Sequence, residues 1–377
     1  MSPFPTIMQI KEIINKVLST PHAAFFYTPP FYGNSDSYLF LKPKAIVKIK
    51  SLRNIDESFS QIDGFIEKGL IGYSLLNYEA GYLFEKRLNR YLPKNENLIQ
   101  FFFYDKKDLI KIKSSKIDFN FKQKFQIKNF KLNTTKNEFL KSIKKIKSYI
   151  EEGDTYQVNY TMKGKFNFEG SYSGLFSHLL FNQSARYIAI INDSKDVIIS
   201  LSPELFFEIE KSKIISKPMK GTTKRGIETA VDSLIKYELE NSEKNRAENV
   251  MIVDLIRNDL GKISKYGSVN VKNIFEVEKY ESVYQMVSTI ESKLRKNIKL
   301  SDVLKNIYPC GSITGAPKMR TMEIINELEK EPRGIYTGGI GLIGESKITF
   351  NVPIRTLTIN KKSCKGEIGL GSGIVWD

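Results

Sequence analysis

The sequence predicts an α+β fold built on antiparallel sheets, and three observations carry that expectation. Strand-like segments come in adjacent groups rather than in strict strand–helix–strand alternation. Two of the joins, "NDSKD" and "EKSK", are short and polar, as hairpin turns are. The chain closes on three glycine-punctuated strand candidates, "GIYTGGIGLIG", "ITFNVPIRTLTIN" and "EIGLGSGIVWD".

Residues 1–125 read as one part. Within it "AIVKIKS" and "LIQFFFYD" suit strands, and "DESFSQIDGFIEKGL" suits a helix ahead of "IGYSLLNYEAGYLF". The lysine-rich run "KKDLIKIKSSKIDFNFKQKFQIKNFKLN" carries alternating Ile and Phe, so an edge hairpin or a loosely held connection is expected. Residues 126–377 read as the second part. Thr134 or Thr135 is placed to cap a helix in which Phe139, Leu140, Ile143, Ile146 and Ile150 recur at helical spacing, with Gly153 as its stop. "TYQVNYTMKGKFNF" alternates like a strand, and "YIAIIND", "DVIISLSPELFFEIE" and "KIISKPM" follow as further strands. "RAENVMIVDLIRNDLGKIS" is helical, with Glu248, Ile252, Leu255 and Asp259 on one stripe and Gly261 near its end. "APKMRTMEIINELEK" is another helix, with Pro317 suited to its first turn.

Composition narrows the classes. The chain has 377 residues, 41% of them hydrophobic, enough for a large core in a soluble protein. No apolar run approaches the roughly 20 residues that span a bilayer. The start "MSPFPTIMQIKEIINKV" lacks a basic region followed by an apolar one, so a cytoplasmic protein is expected and no membrane partner. Two cysteines, Cys310 and Cys364, and two histidines, His22 and His178, are too few for a disulfide framework or a structural zinc site. The formal charge of +16 comes from lysines spread along the chain, without a recognition helix, zinc finger or RNP-like motif, so nucleic acid is not an expected partner. A general attraction for small anions remains.

Four groups of residues carry potential chemistry. In "SKPMKGTTKRG", Lys220 is followed by Gly221, which lets a ligand approach the backbone. A lysine is nucleophilic only when neutral, and burial or the nearby cations Lys217, Lys224 and Arg225 would favour that form; otherwise all four belong to a solvated turn. Glu204 in "SPELFF" and Glu248 on an apolar helix stripe are carboxylates that need a partner. Glu248 suits an ion pair with Arg246, a helix-dipole role or, with a second carboxylate, a Mg²⁺ site. "CGSITGAPK" runs into a helix start, so its amides with Ser312 or Thr314 suit an anion, as do Gly371 and Gly373 of "GLGSGIV".

In their order and spacing, "SPELFF", "KPMKGTTKRG", "RAENVMIVDLIRNDLG", "YQMVSTIE", "CGSITGAPKMRTMEIINELE", "GIYTGGIGLI", "IRTL" and "GSGIVWD" resemble the chorismate-utilising enzymes. That family includes anthranilate synthase component I, isochorismate and salicylate synthases, and aminodeoxychorismate synthase component I. The resemblance covers residues 135–377 closely and reaches more loosely to "IGYSLLNYEAGYLFEKRL". It implies a sandwich of two large antiparallel sheets with helices packed outside, residues 1–125 forming its N-terminal part and 126–377 the chorismate-binding catalytic part. It also implies a dianionic substrate, chorismate, and a Mg²⁺ ion on its ring carboxylate.

Three positions bring the chain nearest to the aminodeoxychorismate synthase branch. Lys220 stands where anthranilate synthases carry a small residue, and the resemblance gives it attack on ring carbon 2 with loss of the carbon-4 hydroxyl, before ammonia displaces it. Gln157 stands where isochorismate and salicylate synthases have a lysine base. Gln285 stands where anthranilate synthases have a histidine. By the same carry-over Glu204 is a general acid, Glu248 a Mg²⁺ ligand, Tyr336 and Arg355 carboxylate-binding groups, and Ser312, Gly371 and Gly373 donors to carboxylate oxygens. Lys318 suits either an electrostatic or a structural role, and Asp254, Arg257 and Asp259 suit a structural charge network.

The resemblance further implies 4-amino-4-deoxychorismate as product, toward 4-aminobenzoate and folate, with ammonia from a separate glutamine amidotransferase subunit. Family members continue past "GIVWD" into a segment whose glutamate completes the Mg²⁺ site, whereas this sequence ends at Asp377. The expectation is weak Mg²⁺ binding and slow turnover by these residues alone. The alternatives are anthranilate synthase component I and a non-catalytic remnant that binds chorismate or its amidotransferase.

Overall fold

The structure is a computed structural model, and it describes residues 8–376 except 34, 35, 120, 121, 184 and 282. Two ten-stranded antiparallel sheets face each other. The first runs in the order Gly315–Ala316, Gln157–Gly170, Lys365–Ile374, Thr356–Asn360, Asp196–Ser202, Tyr187–Asn192, Ala24–Tyr27, Asp36–Phe40 and Ile110–Lys113, with Phe125–Leu132 also pairing on Gln157–Gly170. The second runs Met219–Lys224, Val283–Lys293, Lys213–Lys217, Leu205–Glu210, Lys347–Asn351, Gly339–Ile343, Ile71–Leu76, Ile99–Tyr104 and Ala45–Ile49, with Asn270–Lys279 also on Val283–Lys293. Strands from residues 1–125 therefore enter both sheets.

Residue alternation explains the layering. Ala189, Ile191 and Ile198 of the first sheet meet Tyr73, Phe102, Tyr104 and Ile340 of the second in one inter-sheet core. Their neighbours Ile188, Ile190, Val197 and Ile199 turn outward, under Ile10, Ile13, Ile14 and Val17 of helix Ile10–Ser19 and Phe176 of helix Tyr172–Asn182. A strand covered on both faces must be apolar at every position, which is why "YIAII" shows no polar alternation. The outer face of the second sheet is covered in the same way, with Ile252, Val253, Ile256 and Leu260 of helix Glu243–Gly261 over Ile214 and Ile290.

Local signals set several boundaries. Thr135 caps helix Lys136–Glu151 in a full capping box with Glu138, two helix-end donors satisfied reciprocally. Pro317 stands at the N-cap, one residue ahead of helix Lys318–Leu328. The lysine-rich run is not a hairpin: Ile110–Lys113 pairs with Asp36–Phe40, and Phe125–Leu132 pairs with Gln157–Gly170. Among the described residues no helix is long and apolar enough to cross a membrane.

Candidate active site

The chain crosses from the first sheet to the second at Ser202–Leu205 and returns at Asn351–Thr356. These two crossings lie side by side. Ser202 Oγ donates to the Val352 carbonyl at 2.5 Å and accepts from the Glu204 amide at 3.2 Å. The Val352 amide donates to the Glu204 carbonyl at 3.1 Å. Pro203 and Pro353 suit such junctions because they offer no N–H to either ladder. Glu204 leaves one crossing, and Arg355 leaves the other with a φ of +55°. A left-handed arginine costs on the order of 1–3 kcal/mol and persists only where its surroundings impose it.

Glu204 is buried, and its Oε1 accepts from Ser312 Oγ at 2.5 Å. Burial pushes its carboxyl up to about 6, against the opposing pull of the Ser312 hydrogen bond and the Lys220 charge. Lys220 sits on strand Met219–Lys224, where the pairing with Val283–Lys293 shifts register between Lys220 and Thr222. Gly221 is the extra residue, with a φ of +63°, and a Cβ there would meet the Asn245 side chain at 2.9 Å. The bulge re-aims the strand next to the helix. Lys220 Nζ then reaches the Ser312 carbonyl at 3.5 Å, so Ser312 joins acid and amine, hydroxyl to one and carbonyl to the other.

Burial lowers the Lys220 ammonium from its usual range, and Glu204, Glu248 and Cys310 pull it back only in part. The neighbouring cations do not produce this shift. Lys217 is paired with Glu278 at 3.0 Å and Arg225 with Asp232 at 2.8 Å. Cys310 Sγ lies 3.2 Å from Ser312 Oγ, and burial pushes its thiol up to about 12, so it stays protonated.

The other expected residues fall into two sets. Tyr336 packs across the strand carrying Gly369, Gly371 and Gly373: a Cβ at 369 would meet its ring at 2.1 Å, and one at 371 its hydroxyl at 3.0 Å. Burial pushes its phenol up to about 12, with Glu204 within electrostatic reach. At Gly373 a Cβ would meet Gln157 Nε2 at 2.4 Å. These glycines admit neighbouring side chains, and this is the role the geometry gives them here. Arg355 belongs to a separate group at the adjoining crossing. Its guanidinium faces Tyr32 and Tyr280 electrostatically. In its hydrogen-bonded orientation the Gln183 amide oxygen accepts from Arg355 Nε and Nη1 at 3.1 and 3.2 Å.

Glu248 is half-buried on helix Glu243–Gly261 and acts electrostatically on Lys220. Arg246 stacks on Phe275 at 4.6 Å instead of pairing with it. Among the described residues no group of three or more Asp, Glu, His or Cys side chains could hold a metal ion. A hard cation at Glu248 would meet one carboxylate of this chain there, and Mg²⁺ tolerates sites completed largely by water. The hydroxyl of Thr314 is spent on the Cys310 and Gly311 carbonyls at 3.2 and 3.1 Å, so it is not a donor to an anion here.

Sequence reasoning missed two orphaned atoms. Gln157 Oε1 and Gln285 Oε1 are both buried without a hydrogen-bond partner. Gln285 Nε2 donates to Thr222 Oγ1 at 3.2 Å, two residues past Lys220. Lys318 takes the structural role: it pairs with buried Asp259 and donates to the Ile307 carbonyl at 2.9 Å. Asp254 and Arg257 form an exposed pair at 2.8 Å.

Comparison with known proteins identifies the family and agrees with the fold. The sequence matches the family described as chorismate binding enzyme over residues 24–377. It is 38% identical over 251 residues to anthranilate synthase component 1 of Aquifex aeolicus, covering 66% of this chain and 50% of that protein. It is 39% identical over 248 residues to aminodeoxychorismate synthase component 1 of Escherichia coli, covering 65% and 54%. The chain thus spans about half the length of these curated relatives. Its fold matches anthranilate synthase component I from Streptococcus pneumoniae with a TM-score of 0.77 at 23% identity, covering 92% of this chain and 88% of that one. The menaquinone-specific isochorismate synthase of Escherichia coli gives 0.73 at 14% identity, covering 100% and 87%. The buried acid–serine–lysine cluster at the sheet crossings therefore lies in a member of the chorismate-binding enzyme family.

Proposed function

We propose that the protein is the chorismate-aminating component of an aminodeoxychorismate synthase. It converts chorismate and ammonia to 4-amino-4-deoxychorismate and water, toward 4-aminobenzoate and folate, in the cytoplasm. A separate glutamine amidotransferase subunit supplies the ammonia. One observation carries the reading: a desolvated lysine amine held beside a buried carboxylic acid through a single serine. A buried amine and a buried acid with opposed pKa shifts are the pair that nucleophilic displacement of a hydroxyl needs.

The neutral Lys220 amine forms a bond to ring carbon 2 while the ring double bonds shift. The carbon-4 oxygen leaves as water, carrying the Glu204 proton. The surplus proton on the lysine nitrogen returns to the Glu204 carboxylate. Ammonia then bonds to carbon 4, the double bonds shift back, the Glu204 proton passes to the departing lysine nitrogen so that it leaves as a neutral amine, and the new carbon-4 ammonium returns a proton to the Glu204 carboxylate. Tyr336 and Arg355 orient the substrate carboxylates, while the Ser312 hydroxyl, expected to do so as well, is committed to holding the Glu204 carboxyl. Glu248 would hold Mg²⁺, which when bound supplies charge neutralisation at the ring carboxylate.

The reading is tested by mass-spectrometric product identification with chorismate, ammonium and Mg²⁺, with the amidotransferase where one is encoded. The expected product is 4-amino-4-deoxychorismate. Anthranilate would establish the second reading, which the similar identity to the Aquifex aeolicus relative favours. Lys220 and Gln285 weigh against it, since anthranilate synthases have a small residue and a histidine there.

A further inference from the structure

A second cavity, of about 230 Å³, lies away from the catalytic cluster, between the turn Tyr78–Leu83 and the end of helix Lys318–Leu328. Three tyrosines line it, Tyr78, Tyr82 and Tyr91, with ring centroids 6.1 and 6.0 Å apart in sequence and edge-to-face geometry. Two buried carboxylates, Glu79 and Glu329, line it as well. Tyr78 is 1% exposed, and its hydroxyl is buried without a hydrogen-bond partner. Such an orphan costs on the order of 1–3 kcal/mol unless something fills its valence. Aromatic faces with carboxylates are the chemistry that holds a small cation.

We propose that this cavity binds ammonium, and that it is a staging site for the nitrogen substrate. The proposal rests on the aminating function above. Arg333 separates the cavity from the catalytic loop. Its guanidinium stacks on Tyr78 at 4.4 Å and pairs with Glu329 at 2.6 Å on the cavity side. On the other side it donates to the Ile313 carbonyl at 2.8 Å and the Asn159 carbonyl at 2.5 Å. Ile313 follows Ser312 directly, so one side chain spans the distance from the tyrosines to the loop that holds Lys220. Glu79 does not neutralise Arg333 directly; its oxygens accept the Arg333 and Gly334 amides at 2.6 and 3.1 Å. That leaves its charge, when ionised, for a cation in the cavity.

The test uses thallous ion, a heavy stand-in of ammonium's size and charge. Crystals of the protein soaked in chloride-free thallous acetate without ammonium should show an anomalous peak among the three tyrosines, lost when ammonium acetate is added. In parallel, Tyr82→Leu and the partly exposed Tyr91→Leu should each raise KM for free ammonia roughly three- to thirtyfold, with KM for chorismate within about twofold of the parent. A cavity without a peak, or both variants with the parent's ammonia KM, overturns the proposal. If Tyr82→Leu does not fold, Tyr91→Leu decides the kinetic arm. Should the parent make no aminated product, the aminating function fails, and the thallous peak still decides whether the cavity binds the cation.

Discussion

Lys220 and Lys318 face different parts of helix Glu243–Gly261, the first near Glu248 and the second on Asp259, and the contrast between them separates a chemical lysine from a structural one. Lys318 is largely enclosed, but Asp259 and a backbone carbonyl meet its charge. Lys220 is enclosed as well, and it keeps only a 3.5 Å contact to a carbonyl while the nearest acid gives its oxygen to a serine. Burial alone does not make an amine reactive; burial without a committed counter-ion does. Of the cations flanking Lys220 in sequence, Lys217 and Arg225 are committed to carboxylates of their own, and the groups acting on Lys220 are Glu204, Glu248 and Cys310.

The comparison breaks most sharply in the two alanine variants. Lys220→Ala should cut amination by roughly 10⁴-fold or more, with urea stability unchanged or slightly raised, since a desolvated amine is removed. Intact-mass analysis of the parent with chorismate but no ammonia should show an adduct on Lys220. Near-parent turnover in the variant would sink the nucleophile role. Glu204→Gln should lower kcat by about 10²–10⁴-fold while chorismate still binds; equal losses of binding and turnover would make Glu204 structural. Lys318→Ala should do the reverse of Lys220→Ala. It leaves the buried Asp259 with only the more exposed Lys262 as its ion-pair partner and costs about 1–3 kcal/mol in denaturant unfolding; a stable variant with lost activity would move Lys318 into the chemistry.

Two smaller effects sharpen the picture. Glu248→Ala should weaken Mg²⁺ affinity and shrink the factor by which Mg²⁺ and chorismate raise each other's affinity, a factor that is the same in both directions. Titration calorimetry for each ligand, alone and with the other, checks this, and loss of chorismate affinity without Mg²⁺ coupling would remove the metal role. The pH profile should fall on the acid side as pH drops through about 6, where Glu204 gains its proton while Lys220 keeps its own. Below that point the pair holds two protons and the amine is an ammonium. The singly protonated pair contains the reactive form, neutral amine with neutral acid. In Glu204→Gln the limb near 6 should vanish from the residual rate, and its persistence would assign it to another group.

Much of the site was legible because its residues sit in short, ordered motifs: Glu204, Lys220, Glu248 and Ser312 needed only their neighbours to be noticed. What joins them was not. The Ser312 hydroxyl turns to the protein's own acid, and Asp259 reaches Lys318 across the fold, contacts that no local spacing encodes. The left-handed φ of Arg355 follows from a sheet crossing, invisible in a residue that rarely adopts it. Strands with an exposed partner face or clear turn chemistry, such as Ala45–Ile49 and Lys213–Lys217, were read correctly. Ala24–Tyr27 and Asp36–Phe40 were not read, because the first is apolar at nearly every position and the second mixes polar residues into a strand paired on both sides. The lysine-rich run misled because each of its strands pairs with a distant one.

Strand Gly339–Ile343 lies between Ile71–Leu76 and Lys347–Asn351, and so a strand made late in synthesis fills a gap beside one made early. Roughly 260 residues separate the two, and at ribosomal speeds of about 5–20 residues per second the early strand waits on the order of 13–50 s for its partner. Throughout that interval an apolar strand carries an open ladder of amides and carbonyls in a crowded cell. The protein's own order of emergence therefore leaves that edge open until late in synthesis, and a pause introduced into the message between the two strands would lengthen its most aggregation-prone moment.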